Sequence, residues 1–142
     1  MTKDELTSPH RNGLLFVCIG NNARSQMAEA FARFIGPADF VYYSAGVQPA
    51  DELTAHSIKA MREVGVDISA YRPKALSAIP MGQVATVITL CEGVTLPALP
   101  EGVQHLPYPL PDPNTDLERD EDPLQAYRRV RDQIRELVSR LF

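Results

Sequence analysis

Cys18 and Arg24 flank a short polar segment, and both side-chain types can act on an anion. The residues between them are Ile19, Gly20, Asn21, Asn22 and Ala23, and Ser25 follows. A cysteine thiolate is a nucleophile, and a guanidinium grips two oxygens of a phosphate-like ion. Backbone N–H groups in a loop before a helix can turn inward and bind an anion. The segment therefore predicts a site where Cys18 attacks a tetrahedral oxyanion held by residues 19–25.

The composition of this loop suits that chemistry. Gly20, Asn21 and Asn22 tolerate the left-handed conformations that turn N–H groups inward. A helix N-terminus and a guanidinium each lower the pKa of a nearby thiol, so we expect Cys18 to be mostly ionised near pH 7. Ser25 either caps the helix or donates a hydrogen bond to the sulfur. The structural alternative is a buried cysteine at a strand end and a solvated arginine.

The elements around the loop alternate between strand and helix patterns. Strands are predicted at residues 14–18, 40–44, 84–91 and 102–106. Helices are predicted from Ser25 to Gly36, from Thr54 to Gly65 and from Asp122 to the C-terminus, with Phe34 and Ile35 on the inner face of the first. This alternation predicts a parallel sheet covered by helices on both faces. We expect a flexible tail over residues 1–12 and one α/β domain over residues 13–142.

Cys91 also ends a predicted strand, far from Cys18 in sequence. The carboxyl ends of parallel strands gather at one edge of a sheet, and in flavodoxin-like strand order these two strands are neighbours. Both sulfurs are then expected around one crevice. Residues 96–113 hold six of the twelve prolines and predict an irregular but ordered loop across that edge.

Composition excludes several other classes of protein. A net charge of -4 without a basic stripe argues against a nucleic-acid partner. The longest apolar run, residues 14–19, is far shorter than the ~20 residues of a membrane span. Two cysteines without an export signal favour a reducing compartment, so we expect a cytoplasmic location. His10, His56 and His105 lack metal-ligand spacing, and we assign no metal site.

Several segments of the chain resemble the low-molecular-weight protein tyrosine phosphatase superfamily, and its arsenate reductases in particular. They are residues 17–21, 24–30, 44–46, 65–69, 87–91 and 112–113. The resemblance implies a four-stranded parallel sheet, with Cys18 and Arg24 in the anion loop. It implies Asp112 as general acid and Cys91 as a redox cysteine. Without it, Asp112 equally fits a turn residue and Cys91 a buried strand-end cysteine.

Two positions favour the reductase branch of that superfamily over the phosphatases. Gln26 stands where tyrosine phosphatases usually have proline, and Cys91 occupies the position of a redox cysteine found in arsenate reductases. Asn114 follows the Asp-Pro pair, where phosphatases commonly have an aromatic residue, and it offers no surface on which a phenol could stack. Thioredoxin-coupled arsenate reductases typically carry a third cysteine, but no cysteine follows Cys91. The resemblance thus implies an external thiol reductant without fixing which: thioredoxin, glutaredoxin with glutathione, or another low-molecular-weight thiol.

The function expected from the resemblance is the reduction of arsenate to arsenite. A covalent Cys18–arsenic intermediate would form, Asp112 would protonate the departing oxygen, and Cys91 or an external thiol would complete the redox step. A low-molecular-weight tyrosine phosphatase is the alternative enzyme, since it shares the loop but does not need Cys91. A non-catalytic oxyanion-binding protein or thiol-redox sensor is the second alternative, and it would turn over neither arsenate nor a phosphate ester.

Overall fold

The apolar runs of the sequence form one parallel sheet. The computed structural model describes residues 3–142 and places the strands as follows: β1 Gly13–Cys18, β2 Val41–Gly46, β3 Val84–Thr89 and β4 Gln104–Pro107. The strand order is β2-β1-β3-β4, and each neighbouring pair is parallel. The predicted four-stranded sheet with flavodoxin-like order is therefore confirmed, and β1 lies in its interior beside β3.

Four α-helices accompany the sheet. They are α1 Lys3–Leu6, α2 Arg24–Ile35, α3 Ala55–Glu63 and α4 Pro123–Leu141. Thr54 caps α3 by accepting a hydrogen bond from the Ser57 N–H, and Asp122 forms a capping box with Gln125 at the start of α4. Gly65, at φ +83, takes the left-handed conformation just after α3. No helix within residues 3–142 is long and apolar enough to cross a membrane.

Side chains alternate along β1 between two core layers. Leu14 and Phe16 pack into the larger layer, where α2, α3 and α4 contribute their apolar faces. Leu15 and Val17 pack into the smaller layer on the opposite face. That second face is covered by two 3-10 helices, Leu76–Ala78 and Met81–Gln83, and by apolar residues of the 94–103 segment. Both faces are thus covered as expected, but the long α-helices share one of them.

The start and end of α2 differ from the sequence prediction. Ala23, not Ser25, occupies the N-cap position, and Ser25 lies inside the first turn. Phe34 is 78% exposed and Ile35 is exposed as well, so both predictions of an inward side chain were wrong. The helix is buried from Ser25 through Ala32 because the sheet and α4 enclose it, whereas its last turn is exposed.

Part of the predicted flexible tail packs against the sheet. The Leu6 side chain is fully buried in the larger core layer, and the Thr86 hydroxyl donates to the Leu6 carbonyl at 2.7 Å. The Arg11 guanidinium donates to the Val84 carbonyl at 3.3 Å. These contacts differ from the flexible tail expected over residues 1–12, because one apolar side chain at position 6 suffices to dock the segment. Residues 1 and 2 lie outside the described residues.

Backbone hydrogen bonds beyond the strands bring the site segments together. β3 ends at Thr89, two residues before the predicted end at Cys91, but the Leu90 N–H still donates to the Val17 carbonyl at 2.9 Å. The Leu110 N–H in turn donates to the Leu90 carbonyl at 2.9 Å. Cys91 and the segment that carries Asp112 are therefore held beside the end of β1, where Cys18 lies.

Candidate active site

The loop after β1 is anchored by its carbonyl groups. The N–H groups of Val47, Gln48, Ala50 and Thr54 donate, in that order, to the carbonyls of Cys18, Ile19, Gly20 and Asn22 at 2.8–3.2 Å. Because these carbonyls face the segment that follows β2, the loop's N–H groups are free to face the opposite, concave side. The role of these N–H groups as an anion cradle stays a prediction.

Gly46 allows the loop to approach the end of β2 this closely. A Cβ atom at this position would lie 2.6 Å from the Ile19 carbonyl oxygen and 2.9 Å from the Asn21 nitrogen. Both contacts are with backbone atoms, which cannot move aside as a flexible side chain could. Glycine is therefore required here by close backbone packing, not by an unusual φ.

A buried amide network fixes the middle of the loop. Asn21 has a φ of 50°, and its side-chain oxygen accepts from the Lys74 N–H at 2.8 Å and from Gln26 Nε2 at 2.9 Å. Gln26 Nε2 also contacts the carbonyls of Asn21 and Arg72 at 3.1 and 3.0 Å. Both side chains are fully buried. Gln26 thus connects the loop to residues 72–74. In the sequence Gln26 serves only to distinguish reductases from phosphatases, and this structural role is not predicted.

The Cys18 sulfur is surrounded by hydrogen-bond donors. Its side chain is only 2% exposed, and the Asn21 N–H donates to Sγ at 3.2 Å. Ser25 Oγ lies 2.8 Å from Sγ and also accepts from Asn21 Nδ2 at 2.8 Å. Because Asn21 Nδ2 can only donate, the serine proton remains available for the sulfur. The second of the two roles considered for Ser25, hydrogen bonding to Cys18, is the one found.

The surroundings of the two cysteines shift their pKa values in opposite directions. The hydrogen bond from the Cys91 thiol, followed by those from Ser25 and the Asn21 amide, lowers the pKa of Cys18 from 9.0 to about 6 despite its burial. The same hydrogen bond, together with burial and the charge on Cys18, raises the pKa of Cys91. Near pH 7 we expect Cys18 as a thiolate and Cys91 as a thiol. The sequence predicts a low pKa of Cys18 from the helix N-terminus and a guanidinium, whereas its main cause here is the Cys91 thiol.

A cavity of about 250 Å³, here called the loop cavity, opens above Cys18. Its walls are Cys18, Ile19, Gly20, Asn22, Ala23, Arg24, Asp112, Pro113 and Asn114. Asn21 and Ser25, also predicted to bind the oxyanion, are not among these walls, and both contact the Cys18 sulfur. Arg24 Nη1 donates to the Leu110 carbonyl at 3.0 Å, which holds the guanidinium at the rim.

Asp112 combines a turn role with a place at this cavity. Its Oδ1 accepts from the Asn114 N–H at 2.9 Å, and its own N–H donates to Asp116 Oδ2 at 2.8 Å. Oδ1 therefore fixes the carboxyl group in a local turn, which leaves Oδ2 for an oxyanion in the loop cavity. The two readings of Asp112 that the sequence allowed are compatible. Tyr127 Oη donates to Asn114 Oδ1 at 2.7 Å and supports the same turn.

Cys91 lines a second, larger cavity of about 660 Å³, here called the Cys91 cavity. It is bounded by Ile19, Arg24, Cys91, Glu92, Pro109, Leu110, Pro111, Asp112, Asp116, Glu118 and Arg129. Ile19, Arg24 and Asp112 border both cavities and form the wall between them. Cys91 itself is 6% exposed. The four residues predicted to carry the chemistry thus meet at one place.

The histidines take no part in this site. His105 Nε2 lies 2.8 Å from the Thr89 hydroxyl, and the His56 ring stacks near Tyr127 with centroids 5.3 Å apart. Among residues 3–142, no group of three or more His, Cys, Asp or Glu side chains is arranged to hold a metal ion.

A family model decides the relationship of this chain to known proteins. The model of the low molecular weight phosphotyrosine protein phosphatases matches residues 13–142. The chain belongs to this family. Its members are expected to share the anion loop after the first strand, which is where the loop cavity lies.

Within the low molecular weight phosphatase family, the similar proteins include arsenate reductases. The arsenate reductase of Staphylococcus aureus strain Newman is 35% identical over 124 residues, which are 86% of this chain and 89% of that protein. The arsenate reductase of Halalkalibacterium halodurans is 32% identical over 85% of this chain and 88% of its own length. The predicted resemblance to arsenate reductases is confirmed by these relatives.

Solved structures of the low molecular weight phosphatase family agree in fold. An arsenate reductase in a phosphate-binding state has a TM-score of 0.77 and 34% identity, covering 92% of this chain and 95% of its own. The thioredoxin-dependent arsenate reductase of Corynebacterium glutamicum has a TM-score of 0.66 and 29% identity, and the match covers 92% of this chain and 62% of that protein. The arginine phosphatase YwlE of Geobacillus stearothermophilus has a TM-score of 0.76 and 25% identity, and the match covers 92% of this chain and 90% of that protein.

Proposed function

We propose that this chain is an arsenate reductase that uses Cys18 and Cys91 as its two thiols. The observation that carries the proposal is that a second cysteine, Cys91, lies beside the end of β1, where Cys18 lines the loop cavity, and that Cys91 lowers the pKa of Cys18 while its own pKa is raised. Hydrolysis of a phosphate ester needs one thiolate, whereas a two-electron reduction needs two thiols. The pair is therefore the feature that separates a reductase from a phosphatase.

The first step is an attack of the Cys18 thiolate on arsenic in the loop cavity. A sulfur–arsenic bond forms, and an arsenic–oxygen bond breaks as its oxygen leaves as water. Asp112 Oδ2 delivers the proton for that oxygen. The loop amides and the Arg24 guanidinium hold the negative charge that develops on the remaining oxygens. Arsenic remains in the +5 state through this step.

The second step is a nucleophilic attack of Cys91 on the Cys18 sulfur. A sulfur–sulfur bond forms, the sulfur–arsenic bond breaks, and its electron pair stays on arsenic, which leaves as arsenite in the +3 state. The Cys91 proton passes to the arsenite or to solvent. The two thiols together have lost two electrons. A disulfide between Cys18 and Cys91 is the oxidised form of the protein.

Return of the disulfide to two thiols requires an external thiol reductant. The thioredoxin-dependent relative supports a thiol source of electrons without identifying the one used by this chain. Both cysteines are free thiols in the structure, and they function as redox groups only where the surroundings regenerate them. We accordingly propose a cytoplasmic location, where thiol reductants are abundant.

Phosphatase activity is the second candidate function for the same site. This candidate is supported by the presence of Cys18, Arg24 and Asp112 around one cavity and by an arginine phosphatase among the similar structures. Asn114, on the wall of the loop cavity, provides no ring to stack on a phenol leaving group. We expect aryl phosphate hydrolysis to be slower than arsenate reduction.

A single-turnover assay tests the proposed function. Reduced protein and excess arsenate, without added thiol, are expected to give one arsenite per chain and the loss of both thiols. Cys18→Ser is expected to lower that yield at least about a thousandfold, because the nucleophile is gone. Phosphate ester turnover without arsenite formation would instead identify a phosphatase. Tight anion binding with neither product would identify a sensor.

A further inference from the structure

The two sulfurs of the site are reached from different cavities. Cys18 borders the loop cavity and not the Cys91 cavity, whereas Cys91 borders only the second of these. Ile19, Arg24 and Asp112 stand between the two. A thiol that approaches through the Cys91 cavity therefore meets Cys91 first. This asymmetry has a consequence for how the oxidised protein is reduced.

Access to the two sulfurs is narrow in the reduced protein. Cys18 is 2% exposed and Cys91 is 6% exposed, and the chain has no third cysteine that could carry the disulfide to the surface. A redox protein presents its reactive sulfur on its own surface and needs an accessible disulfide. A cavity of about 660 Å³ is within the size range that holds small organic ligands. The shape favours a small thiol over a protein.

The charges around the Cys91 cavity restrict which small thiol fits. Four carboxylates line it, from Glu92, Asp112, Asp116 and Glu118, against the two guanidinium groups of Arg24 and Arg129, so their formal sum is 2 - 4 = -2. Arg129 is further neutralised by Glu121, which is outside the lining and lies 2.8 Å away. The cavity stays negative even when Asp112 is protonated. It repels an anionic molecule and attracts a cationic one.

We propose that a small thiol carrying a protonated amine enters the Cys91 cavity and attacks the Cys91 sulfur of the oxidised protein. This inference rests on the proposed function, which supplies the disulfide. The thiolate forms a bond to Cys91 Sγ, the Cys18–Cys91 bond breaks, and its electron pair leaves on Cys18. A second molecule of the thiol then attacks the mixed disulfide. The products are the oxidised small disulfide and the two reduced cysteines.

The loop around Cys18 supports this direction of attack. A sulfur with a low pKa is the better leaving group in thiol–disulfide exchange. Cys18 leaves as a thiolate that the Asn21 amide and the Ser25 hydroxyl already stabilise. The opposite attack, on Cys18, would expel the less acidic Cys91 sulfur and would have to pass through the loop cavity.

The position of the mixed disulfide tests the direction of attack. Protein oxidised by arsenate is mixed with limiting cysteamine, an amine-bearing thiol, and quenched with an alkylating agent that blocks the freed thiolate. Trypsin separates the two cysteines into residues 12–24 and 75–119. We expect cysteamine on the peptide of Cys91 and the alkyl group on that of Cys18. Cysteamine on Cys18 would overturn the inference and leave the proposed function intact.

A failure of the proposed function has a different signature in this experiment. If arsenate oxidises no thiol, the oxidised protein does not form, and the proposed function is refuted before cysteamine is added. Protein oxidised with diamide then provides the disulfide independently. The same peptide analysis on that sample keeps the direction of attack testable.

A series of thiols with different charge tests the preference for an amine. Cysteamine, 2-mercaptoethanol and 3-mercaptopropionate are compared by the rate of disulfide reduction per thiolate present. We expect cysteamine to exceed the neutral thiol by about threefold, and the anionic thiol to be slower still, as a screened charge interaction allows. Thioredoxin with its reductase is the protein probe. A faster rate with thioredoxin at equal concentration would overturn the preference for a small thiol.

Variants of the cavity wall provide the matched control. Glu92→Gln and Glu118→Gln, combined, should remove most of the advantage of cysteamine, because both exposed carboxylates line the Cys91 cavity. Glu101→Gln removes one exposed carboxylate outside that cavity and should leave the advantage unchanged. An equal rate for all three thiols in the unmodified protein would overturn the charge preference. So would an advantage that survives the combined Glu92 and Glu118 variant.

Discussion

The two segments that build the loop cavity are held in different ways. Residues 18–25 are bound to other parts of the fold: their carbonyls accept from residues 47–54, and Asn21 and Gln26 are tied to residues 72–74. Around Asp112, by contrast, the hydrogen bonds run mainly within residues 112–116, and most of that segment is exposed. Segments with few tertiary contacts open more easily. Cys18, the proposed nucleophile, thus lies on an anchored loop, whereas Asp112, the proposed acid, lies on a more adaptable segment.

Outside the two cysteines, the largest effect should come from replacing Asp112, the proposed acid on the adaptable segment. Asp112→Asn keeps an oxygen for the Asn114 N–H but cannot deliver a proton. We expect arsenate turnover to fall about a hundredfold or more, because proton transfer to the leaving oxygen is lost. Initial rates of arsenite formation measure this. Asp116→Asn makes the same chemical change in the same turn and should cost less than about threefold. Equal losses in the two variants would assign Asp112 a structural role only.

Cys91 should have two effects: its thiol lowers the pKa of Cys18, and it forms the protein disulfide. Cys91→Ser keeps an O–H donor toward Cys18, whereas Cys91→Ala removes the donor. Both should abolish formation of the protein disulfide. Only the alanine variant should raise the pKa of Cys18 markedly, by about one unit, as the loss of one hydrogen bond to a thiolate implies. The pH dependence of alkylation by iodoacetamide reports this pKa. Identical profiles would show that Cys91 does not stabilise the thiolate.

Gln26 tests how far the loop depends on its buried anchors. Gln26→Leu removes three contacts of Nε2 and leaves the carbonyls of Asn21 and Arg72 without that donor. We expect the free energy of unfolding to fall by about 1–3 kcal/mol. Urea denaturation measures it. Gln133→Leu, at an exposed position of α4, is the control and should change stability little. If both variants lost the same stability, the anchoring role of Gln26 would be rejected.

The smallest effect is a pH dependence of stability that originates at Cys18. Its pKa is about 6 in the folded protein and 9.0 in the reference thiol. Between these values the unfolded chain binds more protons, so this contribution to stability rises with pH and is lost as pH falls through 6. Between pH 6 and 8 the gain relative to Cys18→Ser should be about 1–2 kcal/mol. Parallel urea titrations of the two proteins across this range would show whether the difference exists.

The sheet and its order could be predicted because the apolar runs and the helix caps are local features. Asp122 and Thr54 begin helices where they were expected, and β1 to β4 occur near their predicted positions. The prediction for Phe34 failed, and the burial of Leu6 was not predicted, because burial at both positions depends on where neighbouring elements end. An exposed last turn of α2 and a docked N-terminal segment leave no periodic signal in the sequence.

For the candidate site too, the residues themselves could be predicted from the sequence, but some of their contacts could not. Cys18, Arg24, Asp112 and Cys91 were selected by residue type and resemblance, and the strand order brings them together. The buried contact between Gln26 and Arg72 was not visible, because it joins residues 46 positions apart through a side chain and a carbonyl. The source of the low Cys18 pKa was also missed, since it depends on a thiol from another strand.

Gly46, the last residue of β2, restricts the shape of the loop over residues 18–25 although β2 lines neither cavity of the site. Any Cβ at this position would press on the Ile19 carbonyl and the Asn21 nitrogen, so a larger residue would have to push the loop open or out of register. We expect a larger residue at position 46 to change the spacing of the loop amides and hence the radius of the oxyanion that fits between them. A mutational search for altered oxyanion selectivity would find few neutral solutions at position 46.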